Sequence, residues 1–408
     1  MENCSFPCPW PHSRLIILVV AGVLILSHRV TLVLEQTPLI VLTWTLRLDW
    51  SSLPPTSRLA KQISAFQTQC SPSTRVRKFC HHHAGLGSNL HTWAQALCVA
   101  MEQKSIFVTE SPWLWMDENH CAHEKYPMLC YFGHGHLPEG GQCKSSNSSL
   151  PDMQITSIPY LGHPNECRFN SANPLTPHMR RTLLSFEDCP SFMNRDISVH
   201  EFMSAAMEYL FQSIQPVVIV EAERQARQSF PLGLPDPDNL VTVHMRWGDK
   251  ETELGSKLPA GTYVEGVKFV LKARQIESPV HVYLASEDIA AINAFSDQAP
   301  KHWRIHTSGP TQEGFDKDML RFRSGLNGLS SLGALLLSMQ SNHYVLATTS
   351  NWSRLINELR SNVIDPRCDN CTQMVDLHPG QWPHQHHDGS VTYGLFFGEP
   401  LGQKDLTS

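Results

Sequence analysis

The sequence predicts an α/β fold whose second half is Rossmann-like, with a parallel sheet. Two observations carry this expectation. From Leu240 onward, short β-branched segments alternate with helical ones, the pattern of a parallel sheet with right-handed crossovers. One of those segments, Val241 to Glu253, runs out of a strand directly into a cluster of charge. In open α/β sheets, ligands settle beyond the carboxyl ends of the strands.

The elements follow in order. Arg14 precedes an unbroken apolar run, Leu15 to Leu26, and Val30 to Leu34 prolongs it past His28 and Arg29. No small-x-small cleavage site follows. Residues 1–34 therefore read as a short cytosolic tail and an uncleaved signal-anchor helix, with a cleaved signal peptide as the alternative. Residues 35–74, with Pro38, Pro54 and Pro55, read as a stem. Residues 75–230 read as an N-terminal, Cys-rich α/β domain. It opens with the Gly turn His82 to Leu90, an amphipathic run to about Gln103 and the strand Ile106-Phe107-Val108; helical periodicity returns from Val199 to Gln228.

Residues 231–365 form the expected Rossmann-like domain. Its strands are predicted at 241–246, 280–285, 303–306 and 343–348, and its helices near 262–275, from 288, at 328–341 and at 350–360. Residues 366–408 read as a Cys/His-rich tail.

Composition narrows the function. At 408 residues the chain holds two ordinary domains plus extras, and 41% hydrophobic with 17% charged residues suits a globular protein. The net charge of −6 and the lack of long Lys/Arg runs exclude nucleic acid as the expected partner. Twelve cysteines, ten of them after the apolar run, fit an oxidising compartment with disulfides. Cys368 and Cys371 are near enough in sequence for a local bridge; a zinc site is the alternative, with His378, His384, His386 and His387 at irregular spacing. Asn147, Asn351 and Asn370 open N-glycosylation triplets, and Asn351 sits in a segment that reads as packed.

The charge cluster suggests the chemistry. Val241, Val243 and Met245 alternate with Thr242, His244 and Arg246, so His244 and Arg246 project to one face at the strand's end. After Gly248 come Asp249, Lys250 and Glu253. A guanidinium fork matches phosphate oxygens bidentately, and a carboxylate can take a proton. Such a set could hold a diphosphate and activate a hydroxyl.

These segments resemble a known family. Phe79-Cys80 through Gly85-Leu86-Gly87-Ser88-Asn89-Leu90-His91 is similar to the entry motif of the α1,6-fucosyltransferase-like family, within the GDP-fucose fucosyltransferase superfamily. His244-Met245-Arg246-Trp247-Gly248-Asp249-Lys250 resembles its donor-binding motif. Tyr283 to Asp288 and Thr348 to Leu355 resemble its two later motifs, and the likeness spans roughly 78–365.

The resemblance implies a GT-B-like fold of two α/β domains and inverting transfer of fucose from GDP-fucose to a glycan. It further implies a Golgi, single-pass type II membrane protein with a lumenal catalytic domain. Its partners would be the nucleotide-sugar donor, a glycan or glycoprotein acceptor, and the membrane through the N-terminal helix. Arg246 would bind the diphosphate, His244 the nucleoside, and Asp249, Lys250 and Glu253 would serve sugar and acceptor, with Glu253 the first choice of base and Asp249 the second. Gly85, Gly87, Asn89, Tyr263, Asp288 and Ser350 would complete the donor pocket.

The sequence departs from the family at Trp247, where a second Arg is usual, and at Ala334-Leu335-Leu336, where an Asp that reads guanine is usual. It also carries no long coiled-coil stem and no carboxyl-terminal SH3-like stretch. A protein O-fucosyltransferase, a related transferase with another nucleotide sugar, and a catalytically silent glycan-binding protein are the alternatives. Asp236-Pro237-Asp238 and Asp316-Lys317-Asp318 match a metal-binding triplet formally, but both lie in polar loops. Catalysis is expected to need no cofactor and no metal.

Overall fold

Among the described residues, the second half of the chain builds one seven-stranded sheet whose strands lie out of sequence order. The computed structural model describes residues 44–68, 75–80, 85–110, 113, 115–121, 127–133, 155–157, 197–247, 257–276, 279–308, 324–377, 396–397 and 399–400. The signal-anchor and cytosolic-tail readings lie outside them. Among the described residues, no helix is long and apolar enough to cross a membrane.

The first sheet is small and parallel: β2 (Ser105–Glu110), β1 (Arg75–Cys80) and β3 (Ile155–Ser157), in that order. Helix α1 (Arg58–Gln67) starts at Ser57, whose side chain accepts from Ala60 N–H. Helix α2 (Leu86–Glu102) links β1 to β2. The sequence suggests an amphipathic α2, yet nearly every side chain on it is buried, because β1, β2 and the helices at Val199–Leu210 and Asn351–Leu359 pack around it.

The helical stretch expected over 199–228 is two helices, α3 (Val199–Leu210) and α4 (Pro216–Ser229). Pro216 lacks an N–H and pushes Gln215 into an extended conformation (ψ 147°), so α3 cannot run on into α4. Ser198 and Glu201 close a capping box at the start of α3.

The second sheet contains the four expected strands and three more from the stretch read as a tail. Strands β4 (Leu240–His244), β5 (His281–Ala285), β6 (Arg304–His306), β7 (His343–Leu346) and β8 (Gln373–Asp376) pair in parallel. Short β9 (Phe396–Phe397) and β10 (Glu399–Pro400) add antiparallel. Between them run α5 (Ala260–Arg274), α6 (Ile289–Gln298), α7 (Ser324–Ser338) and α8 (Asn351–Leu359).

Helices cover both sheet faces, so the period-two alternation does not separate wet from dry. Val241, Val243 and Met245 pack with α5 and α6 residues such as Val267 and Phe295. The opposite face, Leu240, Tyr283, Tyr344 and Leu346, packs with α7 and α8. Thr242 and His244 on that face are buried too, and Thr242 Oγ1 donates to Ser338 O at 3.0 Å. Polar strand residues under a helix layer survive burial by finding such partners.

Two boundaries expected from composition differ from the structure. Of the stem assigned to 35–74, residues 44–68 join the core, with Trp50, Leu53, Ala60 and Ile63 buried. Proline-rich composition hid their few large apolar anchors. Of the tail assigned to 366–408, residues 373–376 supply β8. The bridge Cys368–Cys371 is formed, as is Cys121–Cys130.

Candidate active site

The strand order reverses between β4 and β7: β5 and β6 extend one way from β4, and β8 the other way from β7. A crevice opens at such a reversal, because the connections leave toward opposite sides. Two sequence-predicted segments exit into it, His244 to Trp247 from β4 and Ala347 to Ser350 from β7.

His244 lies at the base of this point. Its Nδ1 is 2.7 Å from Ser353 Oγ in the first turn of α8, and Ser353 Oγ also accepts from Ala347 N–H at 3.4 Å. Burial, and secondarily the neighbouring Arg246 charge, push the imidazole down to about 3. His244 is therefore neutral. The Nδ1–Ser353 bond ties the ring to α8 whichever of the two atoms donates.

Arg246 leaves the strand two residues later, with its side chain 25% exposed. Its Nη1 donates to Glu287 Oε2 at 3.1 Å, and the Glu287 side chain is 53% exposed. An ion pair this solvated is worth at most about 1 kcal/mol. The backbone is fixed more firmly: Met245 N–H donates to Ala285 O at 3.0 Å and Ser286 Oγ donates to Met245 O at 2.9 Å. Glu287 is the member of its motif that meets Arg246; the sequence favoured its neighbour.

Asp288 instead caps α6, accepting from Ala290 N–H at 2.8 Å. Trp247, at the position of the family's second Arg, ties the next loop together. Its Nε1 donates to Leu258 O at 3.0 Å and Lys257 Nζ sits 5.7 Å from its ring centroid. Asp249, Lys250 and Glu253 lie outside the described residues.

The remaining candidates divide. Gly87 is a contact point between the N-termini of α2 and α8: a Cβ there would lie 3.2 Å from the backbone of Asn351 and Trp352. Ser88 Oγ accepts from Asn351 Nδ2 beside it. Ser350 stands at the N-cap of α8, buried, with no side-chain cap bond. Gly85 precedes α2 exposed, and a Cβ there would meet nothing within 4 Å, so no steric need explains that glycine. Asn89 is fully buried, and its Oδ1 accepts from Trp113 Nε1 at 3.2 Å. Its place is the core, because the α2 face it occupies turns inward.

Tyr263 is likewise buried, among the apolar residues between α5 and the sheet. Burial, then the charge of Asp376, raise its hydroxyl well above the ordinary tyrosine range. Asp376 in turn accepts from Thr348 N–H at 3.1 Å and from the Thr348 hydroxyl. Tyr263 thus belongs to the core and feels the charge of Asp376, which holds the β7 exit.

Sequence reasoning missed Ser353, Asp376 and Glu287 as partners. Ser353 lies inside a quoted motif, but only the fold reveals that it faces His244. Asp236 of the first Asp-x-Asp accepts from Asp238 N–H, and Asp238 Oδ1 accepts from Asn342 Nδ2 at 2.6 Å, so that pair braces a turn. The second triplet lies outside the described residues. Asp365, Cys368 and Cys371 lie close together, but the two sulfurs are joined and Asp365 is bonded to Arg360 and Thr372.

No protein-family model matches the chain, and no curated protein matches it in sequence. Among solved structures it is similar to the fucosyltransferase NodZ from Bradyrhizobium, at 14% identity over 70% of this chain and 93% of that one, with a TM-score of 0.41. A NodZ alpha-1,6-fucosyltransferase soaked with GDP-fucose gives 15% identity over 70% and 92%, with a TM-score of 0.40. FUT1 of Arabidopsis thaliana, a mutant in complex with GDP, gives 11% identity over 76% and 79%, with a TM-score of 0.39.

Proposed function

We propose that the chain is an inverting, metal-independent glycosyltransferase that moves fucose from GDP-fucose to a glycan. One observation carries the reading: Arg246 leaves β4 a quarter exposed at the strand-order reversal, two residues after His244, which is bonded to Ser353 in the first turn of α8. A guanidinium and a helix N-terminus are both sources of positive potential suited to a diphosphate.

In the proposed transfer, the acceptor oxygen attacks the anomeric carbon. The bond from that carbon to the diphosphate oxygen breaks, and the nucleoside diphosphate leaves with the electron pair. Arg246, with Lys250, meets the charge that develops there. The acceptor proton passes to Glu253, or failing that to Asp249. Neutral His244 meets the nucleoside without adding charge. A Golgi, type II membrane setting belongs to the same proposal, supported by the apolar run before residue 35 and by the formed disulfides.

One observation favours a donor with another base. Leu335 and Leu336, where the family has its guanine-reading carboxylate, are fully buried apolar residues. Nucleotide release by the full chain from a panel of sugar nucleotides tests both readings. Release from GDP-fucose alone supports the first, and release from a different sugar nucleotide replaces it with the second. No release from any member refutes the transferase.

A further inference from the structure

A small disulfide ring at the amino-terminal edge of the second sheet encloses an asparagine with an unengaged side chain. Cys368 and Cys371 are joined, and Asp369 and Asn370 lie between them. Both enclosed residues are exposed and left-handed, with φ of 55° and 57°. Asn and Asp tolerate that region better than most residues. The Asn370 N–H donates to Asp365 O at 2.9 Å, and among the described residues its side chain has no partner.

Asn370-Cys371-Thr372 is one of three N-glycosylation triplets in the sequence. The structure separates two of them. Asn351 is engaged at the helix junction: its Nδ2 donates to Ser88 Oγ, and its Oδ1 accepts from Arg354 Nη2. A bulky glycan there would part α2 from α8. Asn370 is exposed and carries no such duty. Asn147 lies outside the described residues.

The third residue of the triplet dates the modification. The triplet reflects an enzyme that reads the asparagine amide together with the hydroxyl two residues on. In the folded chain Thr372 is buried. Its Oγ1 donates to Asp365 Oδ1 at 2.6 Å and accepts from Arg360 Nη1 at 2.7 Å, and its N–H donates to Asp365 Oδ1 at 3.0 Å. The hydroxyl is turned inward while Asn370 stays outside. The ring also forbids an extended triplet. Three extended residue steps span about 10 Å, whereas the bridge holds the Cys368 and Cys371 Cα atoms 5.4 Å apart.

We propose that Asn370 is an N-glycosylation site open only before the Cys368–Cys371 bridge closes, so that glycan transfer and bridge formation compete for the same four residues. This rests on the secretory setting of the proposed function and not on its transfer chemistry. In the first reaction, Asn370 Nδ2 attacks the anomeric carbon of a lipid-diphosphate-linked oligosaccharide. The N–C bond forms, Nδ2 loses a proton, and the lipid diphosphate leaves with the electron pair of the broken C–O bond. In the second, the two thiols give two protons and two electrons to a protein or small-molecule disulfide, which is reduced to thiols. The ring precedes β8, and Gln373 N–H donates to Asn342 O just before β7. These strands run parallel, so the glycan stands at their entries, at the end opposite the crevice.

The test translates the full chain with microsomes that supply the oligosaccharide donor. Protease protection reports translocation, and peptide N-glycosidase in ¹⁸O-water marks each glycosylated asparagine for peptide mapping. Translocated wild type should carry a glycan at Asn370 on a fraction of the molecules. Cys368→Ser cannot close the ring and should raise that fraction about twofold or more, and dithiothreitol during translation should do the same for wild type. The mark is read on peptides, so it does not depend on the variant's folding. No glycan at Asn370 in either translocated protein overturns the proposal, as does equal occupancy in the two. A chain that is not translocated refutes the secretory setting and the proposal with it.

Discussion

His244 at the end of β4 and Ser353 in the first turn of α8 are joined by a 2.7 Å hydrogen bond across the reversal of strand order. The bond links the His-x-Arg motif to the last motif, 109 residues later. It places the Arg246 backbone relative to the α8 N-terminus, which is the relationship a diphosphate site requires. The consequences can be measured.

The first concerns pH. His244 is held neutral with its folded value lowered to about 3, while in the unfolded chain it protonates near ~6.5. Between those values the unfolded state binds more protons, so stability is present in full above the unfolded value and falls as pH drops through the window. The slope from this residue is up to about 1.4 kcal/mol per pH unit. His281, lowered to about 4, and His306 and His343, lowered by burial, add in the same direction. Urea unfolding between pH 4 and 7 should show the loss, and His244→Asn should flatten it; an equal slope in the variant contradicts the assignment.

Two glycines of one motif should behave differently. Gly87→Val drives side-chain atoms into the α8 backbone and should cost ~2–3 kcal/mol. Gly85→Ala meets open space at an ordinary φ of −57° and should stay within about 1 kcal/mol of wild type. Thermal unfolding of both proteins distinguishes them, and equal shifts would remove the helix junction from the account.

Asp376 holds the β7 exit by accepting both the N–H and the hydroxyl of Thr348 while buried. Asp376→Ala leaves those donors unmet and should destabilise by ~2–4 kcal/mol, with weaker nucleotide binding. Asp376→Asn, which keeps one acceptor oxygen, should cost less than half as much. Chemical denaturation and calorimetry give the two numbers; equal costs for the two variants would contradict the role.

Glu287 neutralises Arg246 from an exposed position. Glu287→Gln should change stability by less than about 0.5 kcal/mol and raise GDP affinity by up to about fivefold at low salt, with the gain vanishing near ~0.5 M salt. A salt-independent change would mean that the carboxylate acts through structure instead.

Much of the second sheet was legible because β-branched runs and their spacing follow from backbone sterics. Strands β4, β5, β6 and β7 fall within a few residues of expectation. Burial was less legible. Thr242, His244, Asn89 and Tyr263 look like surface or pocket groups by type, and the fold buries all four beneath helix layers. Asp288 reads from sequence as a donor-pocket residue, and local geometry makes it a helix cap. Pairings between distant segments, Ser353 with His244 or Glu358 with His91, have no local signature, since each side chain alone is an ordinary helix residue.

The central claim rests on the Arg246 guanidinium. Nucleotide release from GDP-fucose should fall about 10²–10³-fold in Arg246→Ala, with the unfolding midpoint nearly unchanged because the residue's ion pair is solvated. Release that survives in the variant at the wild-type rate would contradict the account.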